Sequence, residues 1–217
     1  MPDIFDEVEE DLRADRAQAL LKRYGGALVG AAVLVVIAAG GWRGWEWYDA
    51  RQVAGVAGTY LAAMQTLETQ KGPARQEAAA PFAEVAARGR AGYRTLARLQ
   101  EAGLKAEAGQ VAAASALWDQ VANDGDANPL LRDIANLQWA IHNVDHGDPA
   151  QVAARLGTLA EATNPFHPIA QETLAMLDLR QGKIAAARTA LERLMQDVTA
   201  PAGVRRRAQG LLARIGA

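Results

Sequence analysis

The sequence predicts an all-α chain: a single N-terminal transmembrane helix followed by a solenoid of helical hairpins. Three observations carry that expectation. Residues 24–42 hold no group that is charged at pH 7. Alanine dominates the rest while β-branched runs are nearly missing, which favours helix over strand. Glycine turns followed by alanine-rich segments recur at Gly109, Gly147 and Gly182, 38 and then 35 residues apart.

Residues 1–23 form an N-terminal tail. Ile4, Phe5, Val8 and Leu12 share one helix face, with most of Asp6, Glu7, Glu9, Glu10 and Asp11 on the other. Glu9 and Arg13 stand four apart with the acid first, a favourable order. Acids lead and bases follow, complementing a helix dipole. The tail reads either as a short solvated helix leading into the span or as a docking helix for a cytoplasmic partner.

Residues 24–48 are the expected transmembrane helix, because about 20 apolar residues cross a bilayer's hydrocarbon. Lys22 and Arg23 close one end; Trp42, Trp45, Trp47 and Tyr48 form an aromatic belt at the other, where Arg43 can snorkel. A cleaved signal peptide fits poorly, since 23 residues rich in acid precede the apolar run and bulky tryptophans follow the Ala38-Ala39-Gly40 site. A buried core helix fits less well still. Arg13, Arg16, Lys22 and Arg23 before the span outnumber Arg43 and Arg51 after it, which points to a cytoplasmic N-terminus and a periplasmic C-terminal domain in the inner membrane. Gly26-x-x-x-Gly30 and Gly40-x-x-x-Gly44 have the spacing that lets helix backbones approach closely, although glycine is common in membrane helices anyway.

Residues 49–90 read as a helical stalk and first hairpin. The span's helix continues through Val53, Val56, Tyr60, Leu61, Met64 and Leu67 to about residue 70, where Lys71-Gly72-Pro73 breaks it. A helix at 75–87 follows with Phe82 and Val85 inward. Residues 91–217 form the repeat domain, with helices at 93–107, 110–122, 129–143, 149–162, 165–180, 183–197 and 201–215. Asn128-Pro129, Asp148-Pro149 and Asn164-Pro165 each set a capping side chain before a proline at the first helical position. Gly109, Gly147 and Gly182 end helices. After them come Val111, Val152 and Ile184, each followed seven residues later by a hydrophobe: Trp118, Leu159 and Leu191. A glycine turn and an alanine-rich second helix at a period near 34 mark a tetratricopeptide-like helical-hairpin solenoid of about three units. An unrelated helical bundle is the alternative.

Composition excludes several chemistries. The 217 residues carry a net charge of -2, so no basic excess points to nucleic acid, and there is no cysteine for disulfides, thiolate sites or nucleophiles. Serine reduces to Ser115, inside an alanine-rich helix. His142-x-x-x-His146, near Asp145 and Asp148, has the spacing of two metal ligands, but a helix C-terminus ahead of Gly147 is where histidine meets exposed carbonyls, and that reading is stronger. His167 reads as local capping or packing, and Trp118 and Trp139 as core. Arg88, Arg90, Arg94 and Arg98, with Arg205, Arg206 and Arg207, read as solvated helix ends or as contacts to anionic lipid or an acidic partner. No catalytic residue, metal, cofactor or small-molecule substrate is expected.

The membrane exit Gly41-Trp42-Arg43-Gly44-Trp45 resembles that of the YfgM-like ancillary SecYEG translocon subunit family, membrane-anchored tetratricopeptide-repeat-like proteins of bacteria. Gly92-Tyr93-x-x-Leu96-Ala97, the stretch from Leu179 to Ala187 and the tail through Leu21-Lys22-Arg23-Tyr24-Gly25 are similar too. The resemblance implies a non-enzymatic periplasmic scaffold that associates with SecYEG and a membrane-anchored folding helper, and assists exported proteins like a chaperone. The acidic start of the tail departs from the family's pattern. An accessory or assembly subunit of another inner-membrane complex, respiratory or photosynthetic, is the alternative. Either would present a concave helical surface to a protein partner.

Overall fold

The computed structural model describes the backbone of residues 4–216; side-chain surroundings are described at Lys22, Gly26 and Gly30 and for residues 33–216 except Ala91. All ten elements among them are helical: α1 (Ile4–Thr69), α2 (Pro73–Gln76), α3 (Ala79–Arg88), α4 (Ala91–Glu107), α5 (Val111–Ala122), α6 (Pro129–Asn143), α7 (Pro149–Gly157), α8 (His167–Arg180), α9 (Ile184–Gln196) and α10 (Ala202–Gly216). The chain divides into two compact units, Met1–Ala54 and Gly55–Ala217.

In the first unit α1 is the sole helix, and Val33 to Ile37 and the aromatic residues after them are exposed. Among the described residues no helix is long and apolar enough to cross a membrane. The side chains of the expected span at 24, 25, 27–29, 31 and 32, and the amphipathic tail face with its Glu9–Arg13 pair, lie outside the described residues.

The second unit is built from pairs. Its buried side chains repeat as a triplet on every second helix: Ala78, Phe82 and Val85 entering and along α3, Ala114, Trp118 and Val121 on α5, Val152, Leu156 and Leu159 along and just beyond α7, Ala187, Leu191 and Leu194 on α9. The i, i+4, i+7 spacing puts each triplet on one helix face. Burying each large member contributes roughly 1.5–3 kcal/mol. On the partner helices, Ala102, Ala140 and Ala175 stand twelve residues before Ala114, Val152 and Ala187, and Ala97, Ala135 and Ala170 stand five earlier; all six are fully buried. Such small side chains let helix axes approach, and the branched or aromatic triplet fills the space beside the crossing. Consecutive helices from α3 to α10 touch, and α4 also touches α6, α6 touches α8, and α8 touches α10. From α4 to α10 the even helices therefore form one layer, with α3, α5, α7 and α9 packed against it.

This register corrects two sequence expectations. The equivalents of Trp118 and Leu191 are Leu156 and Phe82, whereas Leu159 belongs with Val121 and Leu194. Val111 is half-buried and Ile184 exposed, because the position that repeats is Ala114, Val152 and Ala187. With Ala78, Phe82 and Val85 the triplet occurs four times, one more unit than the glycines reveal.

Boundaries follow the prolines and glycines. The expected helix at 75–87 splits into α2 and α3, because Pro81 has no N–H to offer the carbonyl of Glu77 and its ring crowds that oxygen. Asn128 and Asp148 cap α6 and α7 as expected, accepting the N–H groups of Leu130 at 2.9 Å and Ala150 at 3.1 Å. α7 stops at Gly157, earlier than expected, where the poor helix formers Gly157 and Thr158 follow one another. α8 begins at His167 rather than Pro165: a start at Pro165 would ask Pro168 for a donor it lacks, and instead Pro168 lies in the first turn. Asn164 still makes the same local bond as Asn128 and Asp148, accepting from Phe166 N–H at 2.9 Å, and it donates to Asp133 at 3.1 Å.

Gly109 and Gly182 end α4 and α8 in the left-handed region, φ 76° and 74°. Gln110 N–H and Lys183 N–H reach back to Lys105 and Asp178 carbonyls at 2.8 and 2.9 Å, while the two glycine N–H groups bond Ala106 and Leu179. Gly147 is different. Its φ is not positive, and it is glycine because a Cβ there would lie 2.8 Å from the Asn143 carbonyl oxygen.

Candidate partner-binding groove

The residues singled out for anchoring sit on α1. Trp42 and Trp45 are 74% and 75% exposed. Arg51 lies over the Trp47 ring at 3.8 Å, Arg43 pairs with Glu46 at 3.4 Å, and Gln52 donates to the Tyr48 hydroxyl at 3.0 Å. A Cβ added at Gly26, Gly30, Gly40 or Gly44 would meet nothing within 4 Å, so among the described residues no neighbour fills those notches.

The groups with chemical potential are structural. Ser115 accepts from Asn143 Nδ2 at 2.9 Å, and that amide also reaches Trp139 O at 2.8 Å. His142 stacks on Trp118, centroids 5.0 Å apart and planes 22° from parallel. Loss of water on that side lowers its pKa from the ordinary histidine value. Among the described residues no three His, Cys, Asp or Glu side chains converge as metal ligands. His167 Nδ1 lies 2.7 Å from Ala160 O, tying the start of α8 to the preceding loop as local capping. Trp118 and Trp139 are buried as expected, with Arg155 stacked 4.1 Å over Trp139 while it hydrogen-bonds Asn136 and pairs with Asp119.

Several arginines of the basic clusters also fasten the fold, although Arg88, Arg90, Arg206 and Arg207 are exposed as solvated helix ends would be. Arg94 and Arg98 flank Asp124 in the α5–α6 turn at 3.5 and 3.6 Å, and Arg88 pairs with Glu84 at 2.7 Å. Arg205 donates to Ala200 O at 2.6 Å and thereby closes the α9–α10 turn; Arg207 grips Glu172 through two bonds.

Between α8 and α10 lies a groove of about 410 Å³ that sequence reasoning missed. Met176, Leu179, Ile184, Leu211 and Ile215 make it apolar; Asp145, Arg180 and Arg214 bring charge to it. Its walls are pinned. Arg180 Nη1 donates to Val144 O at 2.9 Å, fixing α8 to the α6–α7 turn, and Arg188 Nη2 donates to Ile215 O at 2.9 Å, fixing the end of α10 to α9. Arg214 has no hydrogen-bond or ion-pair partner among the described residues. The sequence signal was faint: Arg180 and Arg214 each lie in a last helical turn, where a cation already has a local reason in the helix dipole. A cleft of about 530 Å³ between α8 and α9, lined by His167, Gln171, Arg193 and Asp197 among others, is less open to a partner's chemistry. There Asp197 spends its carboxylate on the Thr199 hydroxyl and N–H, at 2.6 and 2.8 Å, which hold its pKa below the usual range.

A pinned apolar groove with two arginines suits contact with another protein. A family model for the tetratricopeptide repeat-like domain matches residues 18–209. No curated protein and no solved structure matches the chain.

Proposed function

The chain belongs to the tetratricopeptide repeat-like domain family, and from that premise we propose that it is a non-enzymatic scaffold that docks other proteins while anchored in a bacterial inner membrane. The observation that carries the scaffold reading is the fourfold Ala/Val–large–apolar triplet, three copies of which stand behind crossing alanines. Stacked pairs of this kind bury a shared core and leave the outer side chains of each helix for a partner. Ser115, His142 and His167 are committed to packing and capping, which suits a binding role better than catalysis.

Anchoring by residues 24–48 is supported by the charge-free run from 24 to 42 and by the exposure of Val33 to Ile37, Trp42, Trp45, Trp47 and Tyr48. So much adjoining apolar surface is costly in water and favourable in hydrocarbon and headgroup layers. The excess of Lys and Arg before the run supports a cytoplasmic N-terminus and a periplasmic repeat unit. Within that setting we assign the Sec translocon and its exported clients as partners, on the resemblance of the membrane exit and repeat segments.

Purification of the full chain from membranes in mild detergent, followed by identification of what accompanies it, tests the assignment. Recovery of Sec components supports it. Recovery of a different complex without them sinks the Sec reading and keeps the scaffold; recovery of no protein sinks both. Extraction of the chain from membranes by alkaline wash would remove the anchor, and a reporter fused after Ala217 reads the side on which the repeat unit lies.

A further inference from the structure

We propose that the α8–α10 groove receives an acidic amphipathic segment of a partner protein, its apolar side chains on the floor and a side-chain carboxylate between Arg180 and Arg214. The inference rests on the scaffold reading and names the chemistry of the partner at one place.

The floor comes first. Met176, Leu179, Leu211 and Ile215 line it together with Ile184, which is 42% exposed although the other large apolar residues of α9's inner face are buried. Apolar atoms left open in a groove whose walls are already fixed gain from a partner's apolar side chains without any reordering cost. Ile184 stands in the first turn of α9, three residues before Ala187 and on the same face, where its equivalent in α5, Val111, is half-buried.

Charge then selects the partner. Two arginines meet one aspartate, Asp145, on the groove. Arg180 spends one N–H on Val144 O and keeps its other donors, so its guanidinium is held in place but not saturated. Arg214 is exposed and without a partner among the described residues. Nearby, Lys183 already neutralises Asp178 at 3.8 Å, so that acid does not compete for them. A planar guanidinium offers paired donors that match a carboxylate, and two of them at an apolar rim favour Glu or Asp over a neutral or cationic side chain.

The test is an anisotropy titration of the full chain in mild detergent with a labelled helical peptide, leucines on one face and glutamates on the other, both ends blocked. One control peptide carries Gln for Glu; another carries Gln and a free C-terminal carboxylate. The glutamate peptide should bind tightest and lose affinity with salt. Arg214→Glu, an exposed change whose helicity can be confirmed by circular dichroism, should weaken it about fivefold or more and restore binding to a lysine version. Ile184→Ser should weaken all the peptides alike. Equal binding of Glu and Gln peptides, preference for the free terminus, or indifference to Arg214→Glu overturns the proposal. If Arg214→Glu and the native chain recover the same partner from membranes equally well, the groove reading fails while the scaffold reading stands.

Discussion

Arg207 and Glu172 join α10 to α8 through two hydrogen bonds of 2.6 Å, Nε to one carboxylate oxygen and Nη2 to the other. The two side chains are unequally placed: Glu172 is 6% exposed and Arg207 59%. Removing the arginine therefore strands a buried carboxylate, while removing the carboxylate leaves a cation that water still reaches. Arg207→Ala should cost about 2–3 kcal/mol, below the roughly 3–5 of a fully buried pair because Arg207 keeps a wet side. Glu172→Leu with Arg207→Ala should regain most of that. Urea unfolding of the three chains checks it, and equal losses in single and double variants would contradict it.

The His142–Trp118 stack gives the repeat unit a pH dependence. His142 occupies the position of Leu104 and Leu177, which are buried in the neighbouring repeats. Its pKa is lowered by desolvation, so the unfolded chain binds the proton more readily than the fold does. Stability from the neutral stack is complete above the unfolded-state pKa and is lost as pH falls through the lower folded value. His142→Leu should remove that component: between about pH 7.5 and about pH 5 the native chain should lose more stability than the variant. Parallel denaturation curves would show that the stack is indifferent to protonation.

The helical class and the proline-led starts of α6 and α7 were legible because each rests on local chemistry, a capping oxygen and a proline that needs no donor. The groove and the repeat register were not. Gly147 drew attention to the right period, but Gln151-Val152 resembles Gln110-Val111 closely enough to shift the second unit by three residues. Only burial shows that Val152 matches Ala114, since helix crossing, not residue similarity, fixes that position. α8 eluded the capping rule because Asn164-Pro165 satisfies it locally and Pro168, three residues on, overrides it. Arg180 and Arg214 lie far apart in sequence, and nothing short of the α8–α10 contact brings them to one groove.

The crossing alanines should tolerate no enlargement. Ala140 is fully buried on α6, and a leucine there must push α6 and α7 apart or force strained rotamers. Ala140→Leu should destabilise by about 1–3 kcal/mol. Ala153→Leu, on the exposed face of α7, should stay within about 0.5 kcal/mol. Thermal melts of the two variants make the comparison, and similar melting temperatures would mean that the pairs are not packed against these alanines.

Gly182 and Gly147 should fail differently when replaced. At Gly182 the difficulty is backbone conformation: φ is 74° and a Cβ would meet nothing within 4 Å. Asparagine visits that region more readily than alanine, so Gly182→Ala should cost about 1–2 kcal/mol and Gly182→Asn less. At Gly147 the difficulty is space, since a Cβ would lie 2.8 Å from Asn143 O and 2.9 Å from Asn143 Cβ. Alanine and asparagine bring the same Cβ, so Gly147→Ala and Gly147→Asn should destabilise alike. Chemical denaturation of the four variants decides it: asparagine must rescue at 182 and not at 147, and rescue at both positions would mean that the α6–α7 turn moves aside to admit the new atom.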